Sequence, residues 1–280
     1  MFALEVKNLT KKYPAFSLDR ANFSVGEGKI VGLVGRNGAG KTTVLRSILN
    51  LVHAEGEAKI CGVPVKQEER KAKALVGFAG GGFRFYPQKR VGTVAKAVSS
   101  LYDHWDETRF HRLLKQYGIA KEKKISALSE GMKAKLFVAL ALSHGAKLLL
   151  LDEPTSGLDP VSREEFCDLL LHAVQSEGAS VLFSTHITSD LDRVADDIVY
   201  LCEGKVLFSK PLSALQSRYC VKRFASREEA RGAIGVKRVK DGFEGLVNAD
   251  EAGKAQVASL DEIIVHLEEE QRAKREGDHV

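Results

Sequence analysis

A glycine-rich stretch in the first fifth of the chain carries the residue types that hold a phosphate chain. It reads Gly-Arg-Asn-Gly-Ala-Gly-Lys-Thr-Thr over residues 35–43, between an apolar run and a helical pattern. The glycines let phosphate oxygens approach inward-pointing N–H groups, and a helix beginning near Lys41 adds its positive dipole end. The Lys41 ammonium would reach the β- and γ-phosphates, and the Thr42 hydroxyl would complete a Mg²⁺ site. The stretch predicts binding of ATP or GTP by Gly35, Asn37, Gly38, Ala39, Gly40, Lys41, Thr42 and Thr43.

Two carboxylates end a second apolar run. Residues 147–151 are one lysine and four leucines, and Asp152 and Glu153 follow directly. Such a run suits a strand buried on both faces, whose carboxyl end lies at the ligand-binding edge of an open α/β sheet. Asp152 would hold the Mg²⁺ directly or through water, and Glu153 would polarise the attacking water as general base.

The remaining pattern predicts the elements that position these groups. Alternating residues near the amino terminus predict strands, and residues 93–145 turn helical. Asp159-Pro160 begins a helix, with aspartate as N-cap and proline at the first helical position. The next buried strand ends at His186. After residue 215 we expect a small α+β appendage that includes a helical segment over 226–234.

The bulk composition excludes several classes of protein. The chain has 280 residues, of which 44% are hydrophobic and 28% are charged, as in ordinary globular proteins. The net charge of +5 is mild and spread along the chain, so no nucleic-acid partner is expected. The four cysteines have no metal-like spacing and read as reduced packing residues. No apolar stretch is long enough to cross a bilayer and no signal-peptide pattern opens the chain, so an intracellular protein is expected.

Further stretches resemble the ATP-binding subunit of a bacterial ABC transporter. They are Leu-Ser-Glu-Gly-Met at 128–132 (the signature stretch), Leu-Asp-Glu-Pro at 151–154, Ser-Gly-Leu-Asp at 156–159, and His186. Their order and spacing are similar to those of the single-domain family with an LSxGM signature, over about residues 1–215. The resemblance implies an α/β P-loop NTPase fold of ABC type. That fold has a mixed core sheet with helices, an antiparallel β part at the amino terminus, and a helical insertion (about 93–145) carrying the signature. Residues 216–280 would form the appendage.

The resemblance also assigns roles to residues outside the phosphate loop. Ser129 and Gly131 would close on the γ-phosphate of an ATP held by the opposite subunit. His186 would contact the γ-phosphate and the facing Asp159 region, sensing whether ATP is intact. Tyr13 is similar to the aromatic residue that stacks on adenine, although an early tyrosine could equally belong to the core.

One position departs from the family pattern. After residues 76–78 the family normally presents a glutamine or glutamate that touches Mg²⁺ and the attacking water and contacts the membrane partner. Here the sequence reads Ala-Gly-Gly-Gly over 79–82, so Gly81 occupies that position, and Gln88 lies further along. We expect slower or differently coupled hydrolysis.

Together these features predict the ATP-hydrolysing subunit of a membrane ABC transporter, a translocase-class ATPase that uses ATP and Mg²⁺. The resemblance implies a homodimer, or a heterodimer with a related subunit, joined to a membrane-spanning subunit. The protein would be cytoplasmic and peripheral on the inner face of the cell membrane through that partner. A soluble ABC-type ATPase with a regulatory or assembly role is the alternative, favoured by Gly81, and a general P-loop kinase is opposed by the signature stretch and His186. The transported substrate, its direction and the role of the appendage stay open.

Overall fold

The computed structural model describes residues 1–83, 85–252 and 255–277. Within them the chain forms fourteen strands: β1 (Phe2–Tyr13), β2 (Phe16–Gly26), β3 (Ile30–Val34), β4 (Glu55–Ile60), β5 (Val63–Pro64), β6 (Val76–Gly80), β7 (Leu148–Asp152), β8 (Ser180–Thr185), β9 (Asp197–Cys202), β10 (Lys205–Pro211), β11 (Tyr219–Phe224), β12 (Ile234–Val239), β13 (Gly242–Asn248) and β14 (Gln256–Val257).

The same residues form nine α-helices and two single 3₁₀ turns. The helices are α1 (Lys41–Ile48), α2 (Glu69–Ala74), α3 (Val91–Ser99), α4 (Glu107–Gln116), α5 (Glu130–Ser143), α6 (Pro160–Gln175), α7 (Thr188–Val194), α8 (Leu212–Arg218) and α9 (Leu260–Gly277). The 3₁₀ turns are Ile125–Ala127 and Ala249–Glu251. None of the helices in the described part of the chain is both long enough and apolar enough to cross a bilayer.

The chain divides into two compact units. The first unit consists of Met1–His186 and Asp197–Ser209, and the second consists of Ile187–Asp196 and Lys210–Val280. The first unit contains all the residues to which the sequence assigns chemistry.

A six-stranded sheet in the order β10-β9-β3-β8-β7-β6 forms the centre of the first unit. The pairs from β9 to β6 are parallel, and their register places Asp152 of β7 beside both Ser184 of β8 and Gly80 of β6. Because the carboxyl ends of parallel strands share one edge, the chain segments that leave β3, β6, β7 and β8 meet there. This edge positions the candidate site.

An antiparallel sheet in the order β2-β1-β4-β5 forms the amino-terminal part of the first unit. Helix α1 contacts both β1 of this sheet and β7 of the central sheet. Leu4, Leu45 and Leu150, from β1, α1 and β7, belong to one buried core. Each such side chain contributes roughly 1.5–3 kcal/mol when fully buried, so burial holds the helix that follows the phosphate loop.

The predicted helical insertion consists of α3, α4 and α5, and α5 packs against α4, α6 and β6. A Cβ added at Gly77 of β6 would lie 2.6 Å from the Cβ of Ala141, so this close approach needs glycine. Glu177, just after α6, accepts hydrogen bonds from Arg109 and Arg112 of α4. The insertion is therefore fastened to the central sheet and to α6 by both apolar and ionic contacts.

The second unit has an antiparallel sheet in the order β12-β13-β11-β14, with α9 packed on β12. Leu260 and Ile263 of α9 are buried, so one face of this helix packs into the unit. The helix expected over 226–234 was wrong. Residue 226 lies in a bend and residues 227–232 form turns, and β12 begins at Ile234. A Cβ added at the next residue, Gly235, would lie 1.7 Å from the His266 carbonyl oxygen. Packing of this strand against α9 overrides the local helical pattern.

Candidate functional site

The phosphate loop follows β3 and ends at α1, as the sequence predicts. Gly38 and Gly40 have φ of +84° and +108°, a region that glycine enters without strain. A Cβ at Gly40 would lie 2.4 Å from the Phe16 ring, and one at Gly35 would lie 2.2 Å from the Leu201 carbonyl oxygen. The loop is therefore closely packed on its protein side. No side chain caps α1, so its first N–H groups are not taken by a cap.

A cavity of about 370 Å³ lies over this loop. Its lining residues come from the loop, from the start of α1, from β2 and from the end of β7: Phe16, Arg36, Asn37, Gly38, Gly40, Lys41, Thr42, Thr43 and Glu153. Six of these are loop or helix residues predicted to bind phosphate, and Glu153 is the predicted general base. The cavity combines backbone N–H groups, a cation and a carboxylate, the chemistry that a nucleotide phosphate and its attacking water require.

Lys41 is almost fully buried, and its ammonium group has three acceptors. Its Nζ lies 2.6 Å from the Gly35 carbonyl oxygen, 3.3 Å from that of Arg36, and 3.1 Å from Glu153 Oε1. The two carbonyl contacts are hydrogen bonds, and the contact with Glu153 is an ion pair. Lys41 thus ties the loop backbone to the predicted general base.

Asp152 lies between two hydroxyl groups. Its Oδ2 accepts a hydrogen bond of 2.8 Å from Thr42, and its Oδ1 accepts one of 2.8 Å from Ser184. Thr42 and Asp152, predicted from two separate stretches of the sequence to hold Mg²⁺, are therefore in contact. Hydroxyl and carboxylate oxygens are the ligands that Mg²⁺ takes, with phosphate and water oxygens completing its coordination. This donor set fits a Mg²⁺ ion that arrives with a nucleotide.

Glu153 is held between a cation and an imidazole. Its Oε1 faces Lys41, and its Oε2 lies 2.8 Å from Nδ1 of His186. An ionised carboxylate only accepts hydrogen bonds, so Nδ1 of His186 carries the proton in this contact. The backbone of Glu153 has φ of +51°, which costs a side-chain-bearing residue roughly 1–2 kcal/mol. Its N–H donates to both the carbonyl oxygen and the hydroxyl of Ser184, at 3.1 Å each.

The signature stretch begins α5 at a second surface. Ser129 is the N-cap of α5 and accepts the Met132 N–H at 3.2 Å. A Cβ added at Gly131 would lie 4.0 Å from the hydroxyl of Ser162, which belongs to the first turn of α6. The ends of α5 and α6 therefore converge. None of these residues lines the loop cavity, so within one chain the structure does not bring Ser129 and Gly131 to the phosphate loop.

Asp159 caps α6, as predicted. Its carboxylate accepts a hydrogen bond of 2.6 Å from the Ser162 hydroxyl and two more from the N–H groups of Val161 and Ser162. These bonds favour the charged form, the Ser162 hydroxyl most strongly, and they hold the pKa of Asp159 below its ordinary value. Asp159 therefore presents a negative charge at the start of α6, where it binds the Ser162 hydroxyl that approaches Gly131.

The aromatic residue beside the cavity is one that the sequence reasoning missed. Phe16 lines the cavity, whereas Tyr13 is partly exposed at the end of β1, with 6.5 Å between the two ring centroids. Phe16 begins the strand after the turn, and its packing under Gly40 depends on a contact between residues far apart in sequence. No pattern in the sequence therefore indicates that Phe16 lies beside the cavity.

Ala39 lies in the phosphate loop, and Gly81 directly follows β6. Ala39 is buried, and its carbonyl oxygen accepts the Gly204 N–H at 3.0 Å, which fastens the loop to the turn after β9. Gly81 directly follows Gly80, the register partner of Asp152, and has φ of +70°. The position at which the family pattern has glutamine thus carries no side chain. Gln88 is exposed and does not line the loop cavity.

Comparison with known proteins gives consistent matches. The family model described as ABC transporter matches residues 18–156. The bacitracin transport ATP-binding protein BcrA of Enterococcus faecalis is 30% identical over 246 residues, which cover 86% of this chain and 79% of that protein.

Solved structures match the fold of most of the chain. An ATP-binding subunit of an ABC transporter has a TM-score of 0.67 and 26% identity, covering 76% of this chain and 92% of that one. The ATP-binding cassette MJ0796, a dimer in a post-hydrolysis state bound to ADP and Pi, has a TM-score of 0.63 and 25% identity. This match covers 75% of the present chain and 98% of that cassette.

Proposed function

The chain belongs to the family of ABC transporter ATP-binding subunits, with the ATP-binding fold and ATPase activity of that family, and from this premise we propose how its residues act. Lys41 and the loop N–H groups hold the phosphates of ATP, Thr42 and Asp152 hold Mg²⁺, and Glu153 activates the attacking water. His186 orients Glu153. Hydrolysis of ATP drives the movement of a membrane-spanning partner subunit.

The contact geometry of Glu153 is the observation that supports this proposal most strongly. Its carboxylate lines the loop cavity and lies within 3.1 Å of Lys41 and 2.8 Å of His186. A general base must lie near the phosphate and must be oriented by a further group. Glu153 lines the cavity that would hold the phosphates, and His186 contacts its carboxylate, which supports this role.

The proton and charge changes follow from these contacts. A Glu153 oxygen takes the proton of the attacking water as the water oxygen bonds to the γ-phosphorus and the bond to the leaving ADP oxygen breaks. The Nδ1–H of His186 keeps the other Glu153 oxygen in place. Lys41 offsets negative charge on the phosphates. When bound, Mg²⁺ supplies additional positive charge to the phosphate oxygens.

A second ATP-binding subunit completes the site. Ser129 and Gly131 lie outside the loop cavity of their own chain, at an exposed helix end whose N–H groups suit an anion. We propose that two subunits, identical or related, pair head to tail so that each signature stretch covers the ATP of the other. Closure and reopening of this pair then move the membrane partner.

Replacing Glu153 with glutamine tests the catalytic role. Glu153→Gln keeps the side-chain shape but removes the base, so the rate of phosphate release should fall about 10²–10⁴-fold while ATP binding persists. Glu122→Gln, at an exposed position that does not line the loop cavity, is the matched control and should retain the wild-type rate. Equal rates for both variants would contradict the role of Glu153. Phosphoryl transfer to an acceptor other than water would instead indicate a kinase.

Isolation from native membranes tests the partner. A tagged Glu153→Gln chain from gently solubilised membranes should bring a stoichiometric polytopic membrane protein, and changes within residues 77–91 should release it. Recovery from the soluble fraction alone, with ATP-dependent pairing and no membrane protein, would favour the regulatory or assembly ATPase.

A further inference from the structure

Ser184 of β8 lies next to both carboxylate residues of the site. It is fully buried, and the parallel register of β7 and β8 places it directly beside Asp152. None of the motifs discussed above includes it. Its position is set by strand pairing across 32 residues of sequence.

The hydrogen bonds of the Ser184 hydroxyl have only one consistent arrangement. The Glu153 backbone N–H can only donate, so Ser184 Oγ accepts that bond, at 3.1 Å. The single proton of the hydroxyl is then free to point at Asp152 Oδ1, 2.8 Å away, which accepts it. One hydroxyl group therefore joins the side chain of Asp152 to the backbone of Glu153.

This arrangement orients both carboxylates. With Oδ1 of Asp152 bound to Ser184, the other oxygen, Oδ2, faces the Thr42 hydroxyl. The bond that Ser184 Oγ accepts from the Glu153 N–H helps to hold the Glu153 backbone at its positive φ. From this conformation the Glu153 carboxylate reaches Lys41 and His186. We infer that Ser184 is a positioning residue that aims Asp152 at the metal and Glu153 at the attacking water. This inference rests on the proposed function.

Ser180 provides a matched control within the same strand. It is also buried, and its hydroxyl also accepts a backbone N–H, that of Gly28 at 2.9 Å. Ser180 begins β8, whereas Ser184 lies near its carboxyl end. Ser180→Ala and Ser184→Ala thus remove the same group from the same strand, and only Ser184→Ala removes it from the site.

The experiment measures Mg²⁺ dependence in the full chain. In Ser184→Ala, the free Mg²⁺ that half-saturates ATP hydrolysis should rise about 10–100-fold, the usual effect of losing a group that orients a metal ligand. The Mg²⁺-dependent rise in Tm with a non-hydrolysable ATP analogue should shrink, while the rise seen with the analogue and EDTA persists. Ser180→Ala should behave as wild type in both measurements. Ser184→Thr, which keeps the hydroxyl, should restore both.

Each other outcome has a defined meaning. Equal Mg²⁺ half-saturation in Ser184→Ala and Ser180→Ala would overturn the positioning role and leave the proposed function intact. No stabilisation of the wild type by the analogue, together with no hydrolysis, would overturn the proposed function and with it this inference. If Ser184→Ala fails to fold, Ser184→Cys has a similar size and a weaker donor. It should show the same Mg²⁺ shift, and a wild-type value would overturn the inference.

Discussion

Replacing Glu177 with glutamine should loosen the helical insertion that carries the signature stretch. The Glu177 carboxylate is 6% exposed and accepts bonds of 2.9 and 2.6 Å from Arg109 and one of 2.7 Å from Arg112. Hydrogen bonds to charged groups contribute about 1.5–3 kcal/mol. The Arg112 bond counts for about 0–1 kcal/mol, because that side chain is half exposed. Glutamine keeps one acceptor oxygen, so we expect a loss of about 2–3 kcal/mol in the free energy of unfolding.

The pH dependence of this loss follows from the pKa of Glu177. Burial alone would raise that pKa, but the hydrogen bonds from Arg112 and Arg109 outweigh it and hold the pKa below the ordinary value of 4.5. A carboxyl whose pKa is depressed by folding stabilises the fold above its unfolded pKa, and that stabilisation is lost as the pH falls through the folded value. The difference between wild type and Glu177→Gln should be constant near pH 7 and should narrow below about pH 4.5.

The fluorescence of Trp105 provides the assay. It is the chain's one tryptophan, lies just before α4 and contacts Phe110 of that helix, so it reports on the segment that Glu177 fastens. Urea unfolding is compared for wild type, Glu177→Gln and the exposed control Glu122→Gln at several pH values. A difference below about 0.5 kcal/mol at pH 7, within the usual range of surface substitutions, would refute the reasoning. A difference that does not narrow in acid would refute the assignment of the pH effect to Glu177.

Two further predictions concern the ATP site. Phe16→Ala should weaken ATP binding roughly tenfold, because the contact between the ring and the nucleotide is lost. Tyr13→Ala should weaken ATP binding less, because Phe16 lines the cavity and Tyr13 does not. A larger loss of affinity in Tyr13→Ala, measured by equilibrium titration, would support the adenine-stacking role predicted for Tyr13. Gly81→Gln should change the ATPase rate or its coupling to the partner, because it adds a side chain next to the register partner of Asp152, and should cost about 1–2 kcal/mol of stability because φ is positive there. An unchanged rate and unchanged coupling would remove the proposed importance of this position.

The sequence alone determined the phosphate loop, the acidic end of β7 and the start of α6. In each case the signal is local, because a loop that cradles phosphate needs its glycines, lysine and threonine within nine residues. A doubly buried strand must likewise be a continuous apolar run that ends in its polar residues. Asp159 and Pro160 indicate the α6 start for the same reason, since a capping carboxylate bonds N–H groups two and three residues away.

The tertiary structure decided which distant residues support that site. Ser184 meets Asp152 through strand pairing, and Phe16 meets Gly40 through packing between elements. The hydrogen-bonded ion pair of Arg109 and Glu177 joins residues that are 68 positions apart in the sequence. A single hydroxyl, aromatic ring or ion pair of this kind produces no periodic pattern in the sequence, because residues at many positions could make the same contact. Only the register of the central sheet and the packing of the insertion select the residue that does, since side chains act over a few ångströms in space at any separation along the chain.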